Sequence, residues 1–145
     1  MRFMLLLKGD PPTDPQGNAT PPEKLIDAMQ RYLEELAKAG VLLAAEGLQP
    51  SATGARVVYA KGERRVIDGP FTEAKELIAG FYLIQVKSKE EAIEWARRCP
   101  VDYAVQGDQE AVVEVRQVAD MADLPTATDE QRATDQRLRD QLSGW

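Results

Sequence analysis

Two short stretches of this sequence, residues 3–7 and 81–86, carry apolar side chains at almost every position. Successive side chains of a β-strand point to opposite faces of the sheet, so a strand that is apolar throughout is buried on both faces. The two stretches therefore predict the central strands of a sheet that is covered on both sides. Any fold of this chain therefore needs a layer of structure packed against each face of the sheet.

The elements around these strands are predicted by helical spacing, by alternation and by turn residues. Helices are predicted at residues 22–39 and 88–99, and two further strands at residues 41–45 and 111–118. A β-hairpin that turns at Lys61-Gly62 is predicted at residues 55–67. Because the outer positions of the hairpin are polar, we expect one of its faces to lie in water. The order of the elements predicts an α+β fold with two helices on one face of an antiparallel sheet.

The second face of this sheet keeps the other set of apolar side chains from both central strands. Large exposed apolar surfaces mark interaction sites. A second copy of the chain, related by a two-fold axis, covers both exposed faces at once. We therefore expect a homodimer in which two sheets pair.

Composition excludes several classes of function. The net charge of -6 disfavours a nucleic-acid partner, which needs clustered basic residues. The chain has no histidine, so it cannot form a Ser-His-Asp or Cys-His site, and we expect neither a metal nor another cofactor. The single cysteine, Cys99, is interpreted as a small buried residue rather than a nucleophile. The apolar N-terminal run is too short to span a membrane, so we expect a cytoplasmic protein with no membrane partner.

The most informative stretch for function runs from Asp68 to Glu76 and reads DGPFTEAKE. Its Gly-Pro pair predicts a turn, because glycine adopts backbone angles that are closed to other residues. A short helical turn with Thr72 as its N-cap is expected to follow. This turn gathers Asp68, Glu73, Lys75 and Glu76 within a few positions, and we predict that they lie beside a concave pocket.

These four side chains have two interpretations. In the functional one, crowded carboxylates raise one another's pKa, so that Asp68 is a candidate general acid or base while Lys75 holds an anion or a polarised carbonyl. In the structural one, Lys75 neutralises its neighbours and Asp68 caps the turn. Glu46, at the end of its strand, and Tyr82 are further candidates for a cleft, with core or interface packing as the alternative for Tyr82. Asp10 follows the first central strand, so it can reach the same end of the sheet.

Several motifs together resemble the DGPF-type branch of the YCII-related proteins: residues 46–50 (EGLQP), 68–71 (DGPF), 73–76 (EAKE), 80–82 (GFY) and 113–116 (VEVR). The resemblance covers about residues 1–118 and implies a ferredoxin-like sandwich with an added hairpin, which pairs as a dimeric α+β barrel. The biochemical function of this family is largely unknown. Shorter members carry a His-Asp pair proposed as catalytic, and this role does not transfer to Asp68 because the chain lacks histidine.

Two functions from different classes fit these observations. The first is a homodimeric binding or regulatory module that holds a small polar metabolite near the DGPF turn. The second is a cofactor-independent enzyme, an isomerase, lyase or hydrolase, that uses a carboxylate as general acid or base. The lack of histidine, of a nucleophile motif and of a metal cluster favours the first function.

The last part of the chain, residues 119–145, is predicted to be an appendage outside the core sheet. Residues 119–128 have the composition of a linker, and Thr128 followed by Gln131 is a capping-box pattern for a helix. Leu138, Leu142 and Trp145 then form one narrow apolar stripe. A short polar helix is marginal alone in water, so we expect the stripe to dock on its own domain or on a partner subunit, with Trp145 as anchor.

Overall fold

A computed structural model describes residues 1–105 and 109–142. Within them, the chain forms β1 (Arg2–Lys8), α1 (Glu23–Lys38), β2 (Leu42–Gly47), β3 (Ala55–Ala60), β4 (Glu63–Asp68), β5 (Ile78–Gln85), α2 (Lys89–Arg98), β6 (Val113–Gln117) and α3 (Asp129–Gln141). Short 3₁₀ turns lie at Ser51–Thr53, Ala74–Glu76, Val101–Ala104 and Met121–Asp123. No described helix has the length and apolarity that crossing a membrane requires.

Four strands form one antiparallel sheet in the order β2-β5-β1-β6. The two strands that are apolar at almost every position, β1 and β5, occupy its centre, and the half-polar β6 lies at an edge, as predicted. Both helices follow strands and pack on one face of the sheet. This arrangement is the ferredoxin-like α+β fold that the sequence predicted.

The core lies between this sheet and the helices α1 and α2. Phe3 and Leu5 of β1 contribute buried side chains, as do Tyr32 and Leu36 of α1. The Tyr32 hydroxyl donates a hydrogen bond of 2.6 Å to the backbone carbonyl of Trp95, which ties α1 to α2. Burial of each large apolar side chain contributes about 1.5–3 kcal/mol, so this layer supplies most of the stability of the fold.

The opposite face of the sheet carries the alternate side chains of the same strands. Met4 lies opposite Leu83, and Leu6 lies opposite Phe81, in the register of β1 and β5. None of these four side chains is buried, whereas their neighbours on the helix face are. We call this surface, together with Ala44 of β2, the open face. Its cover by a second copy stays a prediction.

The hairpin of β3 and β4 forms a separate two-stranded sheet. Lys61 and Gly62 both have positive φ values, 53° and 79°, as a two-residue turn of type I′ requires. One face of the hairpin lies in water, as expected, but the expectation that its side chains are polar was wrong: Val57, Tyr59 and Val66 are 66%, 65% and 70% exposed. In a single copy of the chain, the hairpin therefore exposes apolar side chains to solvent.

The end of the chain forms the predicted helix. The Thr128 hydroxyl accepts a hydrogen bond from the Gln131 backbone N–H, and the Gln131 side chain accepts one from the Thr128 N–H, which is the predicted capping box. No residue of α3 is buried. Trp145, the predicted anchor, lies outside the described residues. Docking of this helix stays a prediction.

Candidate functional site

The DGPF turn packs directly against the 3₁₀ turn that follows β2. A β-carbon added to Gly69 would lie 1.8 Å from the carbonyl oxygen of Ser51, so no other residue fits without a backbone shift. Gly69 is not among the glycines with positive φ, and the expected reason for a glycine here was therefore wrong. Close approach of two backbones, rather than an unusual backbone angle, requires the glycine. The Gly69–Pro70 peptide bond is cis.

Ser51 also connects this turn to the loop after β1. Its backbone N–H donates to one carboxylate oxygen of Asp10 at 2.8 Å, and its hydroxyl donates to the other at 2.5 Å. The same hydroxyl oxygen accepts a hydrogen bond from the Phe71 N–H at 3.0 Å. Three loops are thus joined at one end of the sheet, where Asp10 was expected to reach. We call Asp10, Ser51, Gly69 and Phe71 the DGPF clamp.

Arg56 of β3 attaches the hairpin to the clamp. Its guanidinium lies 3.9 Å from the centroid of the Phe71 ring, a cation–π contact. It also forms an ion pair of 3.7 Å with Glu76. Both charged side chains are exposed, so the ion pair contributes at most about 1 kcal/mol. Neither Ser51 nor Arg56 was among the residues that the sequence singled out.

The charged side chains of the turn remain exposed around this frame. Among residues 1–105 and 109–142, Asp68, Glu73 and Lys75 make no ion pair and no side-chain hydrogen bond. Lys75 therefore does not neutralise its neighbours, and Asp68 does not cap the turn. The helical turn forms at Ala74–Glu76 as expected, but its N-cap position is Glu73, so the assignment of Thr72 as N-cap was wrong.

Glu46 and Tyr82 lie on opposite faces of the sheet. Tyr82 is buried beneath α1, where its hydroxyl donates to the Met29 sulfur at 2.9 Å and its burial raises its pKa above the usual range. It packs in the core, as its structural alternative proposed. Glu46 is exposed and lies opposite Phe81, on the open face. One cleft cannot contain both side chains.

Two cavities lie elsewhere in the described chain. A groove of about 910 Å³ runs between the Met121–Asp123 turn and α3. A smaller cavity of about 220 Å³ lies between α1 and the segment after α2, beside Arg98 and Tyr103. Neither cavity is lined by the four charged residues of the DGPF turn, so the pocket beside them stays a prediction. No group of acidic residues or cysteine in the described ranges is arranged to hold a metal ion.

Two comparisons with known proteins match this chain, one over most of its length and one over half of it. A family model described as the YCII-related domain matches residues 1–122. An uncharacterized protein of Rhizobium meliloti (strain 1021) is 40% identical over 72 residues, which are 50% of this chain and 56% of that protein. The family match spans every element from β1 to β6 and the Met121–Asp123 turn up to residue 122. It therefore includes the whole sheet and the DGPF clamp.

Proposed function

Because the chain belongs to the YCII-related family, we propose that it is a homodimeric binding or regulatory module for a small polar metabolite. The ligand site is the end of the sheet where the DGPF clamp holds the turn that carries Asp68, Glu73 and Lys75. Glu46, at the same end of β2, extends this charged surface toward the open face. Hydrogen-bond donors of the ligand contact the exposed carboxylates, and a hydrogen-bond acceptor of the ligand contacts the ammonium group of Lys75.

One observation supports this site above the rest of the surface. The backbone of the turn is fixed by the contact of Gly69 with Ser51 and by the hydrogen bond from Phe71 to Ser51. Three charged side chains on that backbone, Asp68, Glu73 and Lys75, lack partners within the described chain, whereas Glu76 pairs with Arg56. A backbone that is already held in place loses little conformational entropy when a ligand binds, which favours affinity. A turn whose charges served only the fold would pair them internally.

The open face supports the homodimer. The side chains of Met4, Leu6, Phe81 and Leu83 form two adjacent apolar rows at the centre of the sheet. Neither α1 nor α2 lies on this side. Pairing the open faces of two copies across a two-fold axis buries both sets of rows and places two DGPF turns in one assembly.

The charge distribution favours binding over catalysis. A carboxylate that acts as general base near neutral pH needs burial or crowding to shift its pKa. The buried residues of the described chain include no charged side chain. No specific observation therefore favours the isomerase, lyase or hydrolase alternative, and turnover of an identified ligand would be the way to establish it.

A thermal-shift screen with a library of polar metabolites tests the site. A ligand that binds the folded state raises the melting temperature. We expect the shift to persist in Lys24→Ala, which removes an exposed charge on α1, and to disappear in Lys75→Ala and Glu73→Gln. A shift that is equal in all four proteins would place the ligand elsewhere and overturn the proposed site.

Sedimentation velocity tests the assembly. We expect a dimer for the wild-type chain and a monomer for Leu6→Glu, because a carboxylate on the open face would be buried without a partner. The matched control is Ile93→Glu, at an exposed position of α2 on the other side of the molecule. A wild-type monomer at micromolar concentration would contradict the homodimer.

A further inference from the structure

We propose that the β3–β4 hairpin of one copy inserts its apolar face into the groove between the Met121–Asp123 turn and α3 of a second copy. The inference rests on the homodimer of the proposed function and names a second contact within it. The contact is reciprocal, because a two-fold axis places each hairpin against the groove of the other subunit.

The hairpin face has the composition and the exposure of a docking element. Val57 lies directly opposite Val66 in the strand register, and Tyr59 is the next residue on the same face. All three are about two-thirds exposed, although each has the apolar body of a core residue. An isolated two-stranded hairpin is marginally stable in water, so a cover on this face stabilises the hairpin as well as the contact.

The groove offers an apolar surface of matching chemistry. It has a volume of about 910 Å³, and its apolar lining includes Met121, Leu124 and Leu138. Leu124 and Leu138 are 41% and 43% exposed. The helix α3 buries none of its residues, and a helix of 13 residues is marginal without tertiary packing. Docking of a hairpin would cover the apolar stripe that the helix leaves in water.

The two surfaces carry opposite charge. The hairpin, residues 55–68, has four basic and two acidic side chains, a net charge of +2 in a chain whose total is -6. Residues 119–142 have six acidic and three basic side chains, a net charge of -3. Arg64 stands on the apolar face of the hairpin beside Tyr59, and Glu130 lines the groove. Complementary charges of this kind select the partner and fix its register.

A second copy, rather than the same chain, is the occupant. Val66 and Leu138 are both exposed in one copy, so the hairpin does not fill the groove of its own chain. Arg56 holds the hairpin to the clamp through Phe71 and Glu76, which fixes its position relative to the sheet. The hairpin can contact a partner while Arg56 keeps its contacts with Phe71 and Glu76.

Disulfide trapping between two variant chains tests the inference. One full-length chain carries Val66→Cys and the other, with a mass tag, carries Leu138→Cys; Cys99 is buried and does not compete. After mixing and mild oxidation, we expect a covalent heterodimer with a yield about tenfold above that of Val66→Cys mixed with Ile93→Cys. Ile93 is exposed on α2 and serves as the matched control.

Charge reversal then tests the specificity of the contact. Adding Arg64→Glu to the Val66→Cys chain should lower the heterodimer yield several-fold, and adding Glu130→Arg to the Leu138→Cys chain should restore it. A dimer in sedimentation that gives no heterodimer above control would overturn this inference and leave the proposed homodimer standing. A monomer in sedimentation would overturn both. A disulfide formed within a single chain carrying both cysteines, in a monomer fraction, would also overturn the inference, because the occupant would be the same chain.

Discussion

The central strands and the hairpin both place apolar side chains two positions apart on one face of a sheet, yet the two regions use these faces differently. In β1, Phe3 and Leu5 meet the helices and are almost completely buried. In the hairpin, Val57 and Val66 occupy equivalent positions on paired strands but are more than half exposed. The local pattern is the same, and the difference lies in whether a second layer is present.

This difference separates two uses of apolar surface. The contacts between the sheet and its two helices determine whether the chain folds. The open face and the hairpin contribute little to the folding of one copy and are available for association. We therefore expect substitutions in the first region to change the free energy of unfolding, and substitutions in the second to change the stability of the proposed dimer.

The largest expected effect is that of a cavity in the core. Leu36 is completely buried between α1 and the sheet. Leu36→Ala should lower the free energy of unfolding by about 3 kcal/mol, whereas Val57→Ala should change it by less than about 0.5 kcal/mol. Urea denaturation followed by circular dichroism measures both. Similar losses for the two variants would remove the distinction between the regions.

Substitution of Gly69 tests the DGPF clamp, which joins the hairpin to the main sheet. Gly69→Ala should lower the free energy of unfolding by about 2 kcal/mol, because its methyl group would overlap the carbonyl oxygen of Ser51. Gly47→Ala is the matched control, since nothing lies within 4 Å of a β-carbon at that position and its φ is ordinary. The same denaturation experiment applies. Equal tolerance of both substitutions would show that the clamp does not hold the turn tightly.

The core region should also respond to alkaline pH through its thiol. Burial raises the pKa of Cys99 from 9.0 to about 12, so the folded chain keeps its proton where the unfolded chain loses it. The stabilisation is complete below pH 9 and is lost as the pH rises toward 12, with a loss of about 1 kcal/mol between pH 9 and 10. The pKa values of Tyr32 and Tyr82 are raised in the same direction by burial, and they add a further loss that begins as the pH approaches 10 and grows above it.

The control for this pH effect is Cys99→Ala. Its free energy of unfolding, measured in urea at pH 9 and at pH 10, should fall by about 1 kcal/mol less than that of the wild type, because only Tyr32 and Tyr82 still respond. An undiminished loss in the variant would assign the pH dependence to another group.

The smallest effect on folding is expected in the hairpin. Val66→Ser should change the unfolding of a dilute, monomeric sample by less than about 0.5 kcal/mol, because the side chain is exposed. At higher concentration the same variant should dissociate more readily than the wild type. Sedimentation across a concentration series measures this. A variant that unfolds more easily even when dilute would show that the hairpin belongs to the folding core.

Local patterns were sufficient to predict most of the fold. The central positions of β1 and β5 follow from their apolar composition, and the end of α1 follows from Gly40, whose φ is 72°. The hairpin turn and the capping box of α3 follow from residues that are adjacent in the sequence. Each of these features depends on interactions within a few positions, which is the range that a sequence pattern reports.

The clamp depends on contacts that no local pattern reports. Asp10 and Ser51 are separated by 41 positions, and Ser51 lies just after the EGLQP motif, which does not include it. Arg56 belongs to a strand whose pattern reports only its pairing with β4. Gly69 was recognised as important, but the reason depends on a backbone that approaches from another loop. The hairpin was predicted, but its exposed apolar face was not. Exposure depends on whether another helix or sheet packs on that face, which the sequence of the hairpin does not show.

The contact between Ser51 and Gly69 has a consequence for how this chain can vary in length. The hairpin joins the rest of the chain beside this contact, where its two strands are held together. Ala55 pairs with Asp68, and the Gly69 N–H donates to the carbonyl of Gly54 at 2.9 Å. Insertions between residues 51 and 54, or between residues 68 and 69, would separate the two backbones and break the contact. Paired insertions or deletions inside the hairpin leave it intact. The hairpin is therefore an exchangeable cassette, which evolution or engineering can lengthen, shorten or replace while the scaffold stays the same.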